Sequence, residues 1–353
     1  MKITTIALMG LFLGSLINAQ PAAFEALDKN GDGTLSMKEI RKVNRTAVDH
    51  ADQDIDRVLN EKEYKDYLNF IQRQKRDRAK VREGITVHYD LPYVEGRHYR
   101  QKLDLYVPEN SESPLPLVIW IHGGGWRRGD KGMVERQLYL LEHGFAMASI
   151  NYRLSHNAKF PAQIHDCKAA IRYLRKHAAK YGLDSQRFGV WGSSAGGHLV
   201  ALMGTSGDVK RLEGKLGVTG VSSRVQAVCD FFGPTDFTAL RDRPPNPNIK
   251  SDDPLMQPIP RLLGGMVSDK KELARLASPA THVSADDPPF LIMHGDQDPL
   301  VPYQQSEILD GLLEKKGVDS TLVIVPGHGH GFFREPTQLQ HVTDFFLRTL
   351  GDN

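Results

Sequence analysis

Residues 192–196 carry the pattern Gly-x-Ser-x-Gly, between a short apolar run and a run that favours a helix. This setting predicts a serine on a sharp turn from strand to helix, where its hydroxyl is presented as a nucleophile. We expect glycines beside the serine because side chains there would collide with the neighbouring strand and helix. Ser194 is therefore the candidate nucleophile, and the amide of Ala195, at the start of the helix, faces developing negative charge.

A serine hydroxyl is a weak nucleophile at neutral pH unless a base removes its proton. Two histidines, His328 and His330, follow the last predicted strand and compete for that role. The base in turn needs an acid that fixes its tautomer and stabilises the imidazolium. Asp296 and Asp298 follow the preceding predicted strand and compete for this second role. The sequence thus supplies a serine, an acid and a histidine, in that order along the chain.

The run His-Gly-Gly-Gly-Trp at 122–126 directly follows a predicted buried strand. Glycines let backbone amides face a pocket without side chains in the way. We predict that the amides of Gly124 and Gly125, together with that of Ala195, bind the negative oxygen of a tetrahedral intermediate, at typically ~3 kcal/mol per donor. His122 leads this loop, and its ring is expected to tie the loop down rather than to react.

These motifs and their surroundings, over residues 84–350, resemble the esterase and lipase branch of the α/β-hydrolases, the carboxylesterases of the hormone-sensitive-lipase and feruloyl-esterase-like kind. The order of serine, acid and histidine is that of the α/β-hydrolases. Within this resemblance, His330 in its Gly-His-Gly-Phe context is preferred to His328 as the base. Asp298 is preferred to Asp296 as the acid.

The resemblance implies a serine ester hydrolase that acts through Ser194, Asp298 and His330, on short acyl or carbohydrate-linked esters of the acetyl or feruloyl xylan type. Three alternatives stay open: a serine peptidase of the prolyl-oligopeptidase kind, a true lipase, and a calcium-dependent binding module attached to an inert hydrolase domain. Asp166 lies in a stretch that also resembles this branch, and it is interpreted as a structural ion-pair or capping residue.

Apolar runs alternate with helix-forming segments through residues 84–353. This alternation predicts an α/β fold with a mostly parallel sheet that helices cover on both faces. Residues 85–90 and 101–107 alternate apolar and polar side chains, as the strands of an edge hairpin do. The proline-rich segment 233–287 is too long for a simple connection, and we expect part of it to roof the pocket.

Two stretches near the N-terminus have the spacing of calcium-binding loops. Residues 28–39 match such a loop at every diagnostic position. The predicted ligands are oxygens of Asp28, Asn30, Asp32, Thr34, Ser36 and Glu39. Residues 52–63 form a second acidic loop, with ligand positions at Asp52, Asp54, Asp56 and Glu63. Arg57 replaces the glycine of the second loop, which predicts a strained turn there.

The two loops predict a small all-α calcium module over residues 20–70, joined by a charged linker at 71–83 to the catalytic domain at 84–353. This module resembles the short tandem EF-hand repeats of secreted bacterial proteins, dockerins among them. A dockerin would bind a cohesin partner, but we favour a module that Ca²⁺ stabilises and that needs no partner. Calcium is expected to be structural, and no cofactor is expected to take part in catalysis.

Composition and the N-terminus restrict the remaining function classes. The 353 residues carry a formal net charge of +2, which gives no electrostatic reason to expect a nucleic-acid partner. Lys2 followed by an apolar stretch predicts a signal peptide at 1–19 and a secreted or periplasmic protein, without stable membrane insertion. Cys167 and Cys229 are expected to be buried free thiols rather than a disulfide.

Overall fold

The computed structural model describes residues 23–40, 43–52, 54, 56–79, 83–96, 98–240, 257–331 and 335–351. The signal peptide predicted at 1–19, and residues 241–256 of the proline-rich segment, lie outside these ranges. None of the helices within the ranges combines the length and the apolar character needed to cross a membrane.

Residues 23–79, here called the N-terminal segment, contain α1 (Phe24–Leu27), β1 (Thr34–Ser36), α2 (Arg45–Ala51), β2 (Val58–Asn60) and α3 (Glu61–Ala79). The strands pair antiparallel and place Leu35 opposite Leu59. The expectation of an all-α module is therefore wrong, because the segments after the two acidic turns pair as a short sheet. Both leucines are buried in a small core of this segment, which also contains Tyr67 and Phe70 of α3. Residues 71–79, assigned from the sequence to a linker, continue α3.

The centre of the remaining chain is a sheet of eight strands: β3 (Ile85–Pro92), β4 (Lys102–Pro108), β5 (Leu115–Ile121), β6 (Ala146–Ile150), β7 (Leu183–Ser193), β8 (Ala227–Phe231), β9 (Phe290–Gly295) and β10 (Ser320–Val325). Their order across the sheet is β10-β9-β8-β7-β5-β6-β4-β3. Neighbouring strands are parallel except for β3 with β4 and β4 with β6, so β4 alone runs against the others. The expectation of a mostly parallel sheet with an edge hairpin is confirmed.

Helices cover both faces of this sheet: α4 (Ala162–Lys176), α5 (Ala195–Thr205), α6 (Lys210–Glu213), α7 (Pro258–Leu263), α8 (Lys271–Ala277), α9 (Gln304–Lys315) and α10 (Pro336–Leu350). One face packs against α4 and α5, and the opposite face packs against α10 and a 3₁₀ helix, Gln137–His143. Every residue of β5 is buried, because a parallel strand covered on both faces needs no polar side.

The parallel arrangement brings the candidate residues to one edge of the sheet. The glycine run 122–126 follows β5, Ser194 follows β7, Asp298 follows β9 and His330 follows β10. In open parallel sheets, ligands bind outside the carboxyl ends of the strands, where the loops converge. The fold therefore places the predicted nucleophile, acid, base and oxyanion loop at the edge where a pocket is expected.

Two structural expectations are confirmed at buried positions. Asp166 forms an ion pair with Arg153, whose Nε lies 2.8 Å from Asp166 Oδ2. Cys167 and Cys229 are both buried and free. Burial raises the pKa of both thiols well above the usual range, so neither is expected to react in the folded chain.

Candidate active site

Ser194 occupies the turn between β7 and α5, with φ of 55° and ψ of −120°. A non-glycine residue with positive φ is strained and persists only where its surroundings fix it. Its amide donates to the carbonyl of Phe231, at the end of β8, at 2.8 Å. A Cβ on Gly192 would lie 2.4 Å from Gly196 O, and a Cβ on Gly196 would lie 2.0 Å from Ile121 O. The close approach of strand and helix therefore requires both glycines, as the sequence predicts.

His330 and Asp298, from two different loops, are in direct contact. His330 Nδ1 lies 2.6 Å from Asp298 Oδ2. The histidine side chain is 17% exposed, whereas the aspartate side chain is fully buried. An ionised carboxylate can only accept a hydrogen bond, so the proton lies on Nδ1 of a neutral His330 and Nε2 is left to accept one. The pair has the arrangement of an acid that orients a base.

Asp298 has further donors besides His330. Its Oδ1 accepts from the amides of Leu300 at 2.7 Å and Val301 at 2.9 Å, and its Oδ2 lies 3.2 Å from His294 Nε2. Burial would raise the pKa of Asp298, but the hydrogen bonds with His294 and His330 hold it well below its usual range. The carboxylate therefore stays ionised at neutral pH, which orienting a histidine requires.

The two competing residues have other partners. Asp296 Oδ1 accepts from the amide of Gly327 at 2.7 Å and so supports the loop that leads to His330. His328 places its Nε2 2.9 Å from Glu335 Oε1, and this contact is exposed to solvent. The geometry therefore favours the preferred acid and base over both competitors.

A two-residue segment, Phe231 and Phe232, connects the serine to the base. Phe231 accepts from the Ser194 amide, and the ring centroid of Phe232 lies 4.5 Å from that of His330. The described contacts of His330 are with Asp298 and Phe232 and do not include a hydrogen bond to the Ser194 hydroxyl. Such a bond is often long before substrate binds and shortens in the reacting complex.

The glycine run adopts backbone conformations that favour glycine. Gly124 and Gly125 have φ of 107° and 60°. A Cβ on Gly125 would lie 3.6 Å from Pro258, so the start of α7 stands directly over the loop. This contact supports the expectation that part of segment 233–287 roofs the pocket. Ala195, the third predicted donor, is the first residue of α5.

Gly123 makes the closest approach of this loop to the nucleophile. A Cβ there would lie 2.7 Å from Ser193 O and 3.3 Å from Ser194 Cβ. The sequence predicts amide donors at the two following glycines but not this role of Gly123. The three consecutive glycines are the signal that could have indicated it, because only a residue without Cβ fits against the elbow.

His122 holds the loop as expected. Its buried ring stacks on Tyr152 with centroids 4.5 Å apart, and its Nδ1 lies 2.8 Å from Gly123 O. Burial, reinforced by the charge of Arg100, lowers the pKa of His122 to about 3. The ring is therefore neutral, with Nδ1 donating to Gly123 and Nε2 accepting from Arg100 at 3.3 Å. Arg100 is not among the residues predicted from the sequence.

The two acidic loops of the N-terminal segment make the same turn at their sixth position. Gly33 and Arg57, at equivalent positions, have φ of 77° and 71°. The Gly33 amide donates to Asp28 at 2.9 Å, and the Arg57 amide donates to Asp52 at 3.1 Å. Arg57 thus adopts the strained conformation predicted for it.

Carboxylate groups converge inside the second loop. Oxygens of Asp52, Asp54 and Glu63 lie within 4.8 Å of one another. In the first loop, amides donate to the carboxylates of Asp28, Asp32 and Glu39. The remaining predicted ligands lie in the same two loops, namely Asn30, Thr34, Ser36 and Asp56. Clustered carboxylate and carbonyl oxygens are the donors that Ca²⁺ prefers, so these residues fit the ion chemically.

Several known proteins are similar to this chain in sequence or in structure. Probable carboxylic ester hydrolase LipM of Mycobacterium tuberculosis is 37% identical over 198 residues, which cover 54% of this chain and 43% of LipM. A truncated form of a carbohydrate esterase from gut microbiota has a structure with a TM-score of 0.69 and 34% identity, covering 76% of this chain and 97% of that one. A bifunctional GH43-CE protein from Bacteroides eggerthii has a TM-score of 0.68 and 37% identity, covering 75% and 38% of the two chains.

The chain spans about half the length of the curated relatives it matches. Its mostly parallel sheet and its similarity to solved esterases identify the α/β-hydrolase fold. The BD-FAE family model matches residues 103–313, more than half of the chain and the part that contains the nucleophile elbow, the glycine run and Asp298. The chain therefore belongs to the BD-FAE family.

Proposed function

We propose that this chain is a serine hydrolase of carboxylic esters. The observation that carries the proposal is the 2.6 Å contact between His330 Nδ1 and Asp298 Oδ2, beside a serine on a strained turn. A neutral histidine oriented by a carboxylate is what a serine hydroxyl needs to become a nucleophile. Two relatives from Mycobacterium tuberculosis, LipM and LipQ, are named as ester hydrolases, and their names support the same reaction.

In the proposed reaction, Ser194 Oγ attacks the ester carbonyl carbon and its proton passes to Nε2 of His330. The carbonyl oxygen becomes an oxyanion, which the amides of Gly124, Gly125 and Ala195 stabilise. Collapse of this intermediate breaks the bond to the alcohol oxygen, which takes the proton from His330 and leaves. Water then attacks the acyl-enzyme with His330 as its base, and a second collapse releases the carboxylic acid and regenerates the serine.

For the substrate, we propose short acyl groups on carbohydrate, of the acetyl or feruloyl xylan type. The support is the similarity to a carbohydrate esterase and to a GH43-CE protein, each over about three quarters of this chain. The predicted signal peptide at 1–19 agrees with a secreted or periplasmic enzyme that acts on polymers outside the cytoplasm.

The test of the function is hydrolysis of p-nitrophenyl esters from acetate to palmitate by the mature chain, beside Ser194→Ala. We expect turnover of the short esters and its loss in the variant, followed by release of acetate or ferulate from acylated xylan. Turnover that survives in Ser194→Ala would refute the mechanism. A preference for palmitate would favour a lipase, cleavage of peptides alone would favour a peptidase, and no turnover at all would favour an inert hydrolase domain.

We further propose that the two acidic loops bind Ca²⁺ and that the ion is structural. The support is the convergence of Asp52, Asp54 and Glu63 and the matching turns at Gly33 and Arg57. The comparisons give no support to a cohesin-like partner, and the N-terminal segment makes polar contacts with the catalytic domain of its own chain. Calcium titration of the mature chain by calorimetry would test the proposal, with heat of binding expected.

A further inference from the structure

The carboxylate of Asp49, on α2, reaches from the N-terminal segment into the catalytic domain. Its Oδ1 lies 2.8 Å from His156 Nε2, and its Oδ2 accepts from the Tyr99 hydroxyl at 2.7 Å and from Arg100 Nη1 at 3.3 Å. Burial would raise the pKa of Asp49, but its bond with His156 and the charge of Arg100 keep it below the usual value. Asp49 is therefore an ionised partner at the boundary between the two parts of the chain.

The side chain of Arg100 extends from Asp49 into the interior of the catalytic domain. Its side chain is fully buried. Its Nε donates to Tyr152 O at 2.8 Å, and its Nη2 donates to Gly129 O at 2.8 Å and reaches His122 Nε2 at 3.3 Å. A buried guanidinium is costly unless a negative group and several acceptors compensate it. The ion pair with Asp49 is part of that compensation, and it comes from the other part of the chain.

Arg100 contacts both His122 and Gly129. These two residues are the ends of the segment 122–129, which contains the glycine run and is here called the oxyanion loop. A Cβ on Gly129 would lie 2.3 Å from His122 Nδ1 and 2.6 Å from Gly123 O, so the ends of the loop touch. Gly123 in turn rests against the nucleophile elbow. A displacement of Arg100 would therefore move the backbone amides between these residues, which are the predicted oxyanion donors.

A second contact supports the same end of the loop. Gln74, on α3, donates its Nε2 to Asp130 Oδ1 at 2.9 Å. Asp130 directly follows Gly129 and also accepts from Asn151 Nδ2 at 2.9 Å. Side chains of both α2 and α3 thus contact residues that hold the C-terminal end of the oxyanion loop.

We propose that the N-terminal segment is part of the catalytic unit, because Asp49, acting through Arg100, positions the oxyanion loop. This inference rests on the proposed ester hydrolysis, in which the loop stabilises the tetrahedral intermediate. Asp49 and Arg100 are positioning residues, since neither touches the reacting atoms. The oxyanion exists only in the intermediate and its transition states, so a misplaced loop lowers kcat and leaves KM nearly unchanged.

The test compares Asp49→Asn and Asp49→Ala with the parent chain, on p-nitrophenyl acetate and with a boronic acid that forms a tetrahedral adduct with the serine. We expect kcat to fall about tenfold in Asp49→Ala while KM stays within about twofold, and the boronate to bind more weakly by the same factor as the loss of kcat. Asp49→Asn keeps the shape of the side chain, and its kcat and boronate affinity should lie between those of the parent chain and of Asp49→Ala. Glu61→Gln, an exposed position of the same segment, is the matched control and should leave all three quantities unchanged.

A folded Asp49→Ala chain with unchanged kcat and unchanged boronate affinity would overturn the inference, as would a rise in KM alone. If Asp49→Ala does not fold, Tyr99→Phe removes one hydrogen bond to Asp49, keeps the carboxylate, and should give a smaller loss of kcat in the same direction. Failure of the proposed function would be recognised separately from failure of the inference, because the parent chain itself would then show no turnover that depends on Ser194. In that case the inference would fail as well.

Discussion

Trp126 and His198 join the glycine run to α5, the helix that follows Ser194, with the indole Nε1 donating to His198 Nδ1 at 3.2 Å. The other ring nitrogen of His198 donates to Ala277 O at 2.7 Å. Burial lowers the pKa of His198 to about 4, so the ring is neutral and has one nitrogen that donates and one that accepts. One imidazole thus links the oxyanion loop, α5 and the end of α8.

Trp126→Phe should lower the free energy of unfolding by about 1–2 kcal/mol, because it leaves the buried Nδ1 of His198 without its donor. The measurement is urea unfolding of the parent and of Trp126→Phe, His198→Leu and the double variant. A coupling free energy of about 1 kcal/mol is expected between the two positions. Additive effects would show that the hydrogen bond does not contribute to stability.

The two aspartates that compete for the acid role offer a matched comparison. Asp298→Asn should lower kcat by about four orders of magnitude, because an amide no longer holds His330 in the tautomer that accepts a proton. Asp296→Asn should lower kcat by less than about tenfold, since this side chain bonds only to the Gly327 amide among its described contacts. Steady-state kinetics on a short p-nitrophenyl ester measures both, and the reverse ranking would exchange the two assignments.

Two buried histidines predict a loss of stability in acid. The pKa of His122 is lowered to about 3 and that of His198 to about 4, in both cases mainly by burial. Between about pH 6.5 and pH 4 the unfolded chain therefore binds two more protons than the folded chain at these sites, and stability falls as pH falls. Asp230 opposes this trend, because burial raises its pKa to about 7 and the folded chain holds a proton that the unfolded chain has lost.

Taken together, the three groups make the unfolded chain bind about one proton more than the folded chain. This difference corresponds to roughly 1.4 kcal/mol of stability lost per pH unit toward acid. Urea unfolding at several pH values between about 4.5 and 6.5 measures this slope. Asp230→Asn should steepen the slope, and His198→Asn should flatten it. A slope that neither variant changes would mean that other groups control the acid transition.

Local sequence patterns predicted the elements that surround the reacting residues. The elbow and the glycine run follow from residues adjacent in sequence, since a glycine pattern reports a local steric demand. The sequence limits the acid to two aspartates and the base to two histidines. The choice within each pair rests on the family resemblance. The structure adds the spatial reason, because Asp298 meets His330 only when the loops after β9 and β10 fold together.

The contact between Asp49 and Arg100 could not be predicted in this way. These residues lie 51 positions apart and belong to parts of the chain that the sequence suggests are separate. Arg100 stands two residues before β4, in a turn, where a charged residue is ordinarily exposed, yet it is fully buried. The docking of α2 on the catalytic domain determines its burial, and no local pattern of residues encodes that docking.

Removal of calcium should lower the melting temperature of the mature chain by several degrees. When the free ion concentration is about 100 times the dissociation constant, binding adds roughly 2.7 kcal/mol to the free energy of unfolding. Each kcal/mol corresponds to about 2–4 °C in melting temperature for a chain of this size class. The measurement is thermal unfolding with calcium and with a chelator. Asp54→Ala removes one exposed carboxylate of the second loop and should reduce the shift and the number of ions bound.

Glu61→Gln is the control for this effect, because it removes an exposed carboxylate at a position of the second loop that is not a predicted ligand. It should respond to the chelator as the parent chain does. Equal chelator shifts in the parent and in Asp54→Ala would assign calcium to the first loop alone, since the strain at Arg57 opposes binding in the second. Absence of any shift in the parent would refute a structural role for calcium.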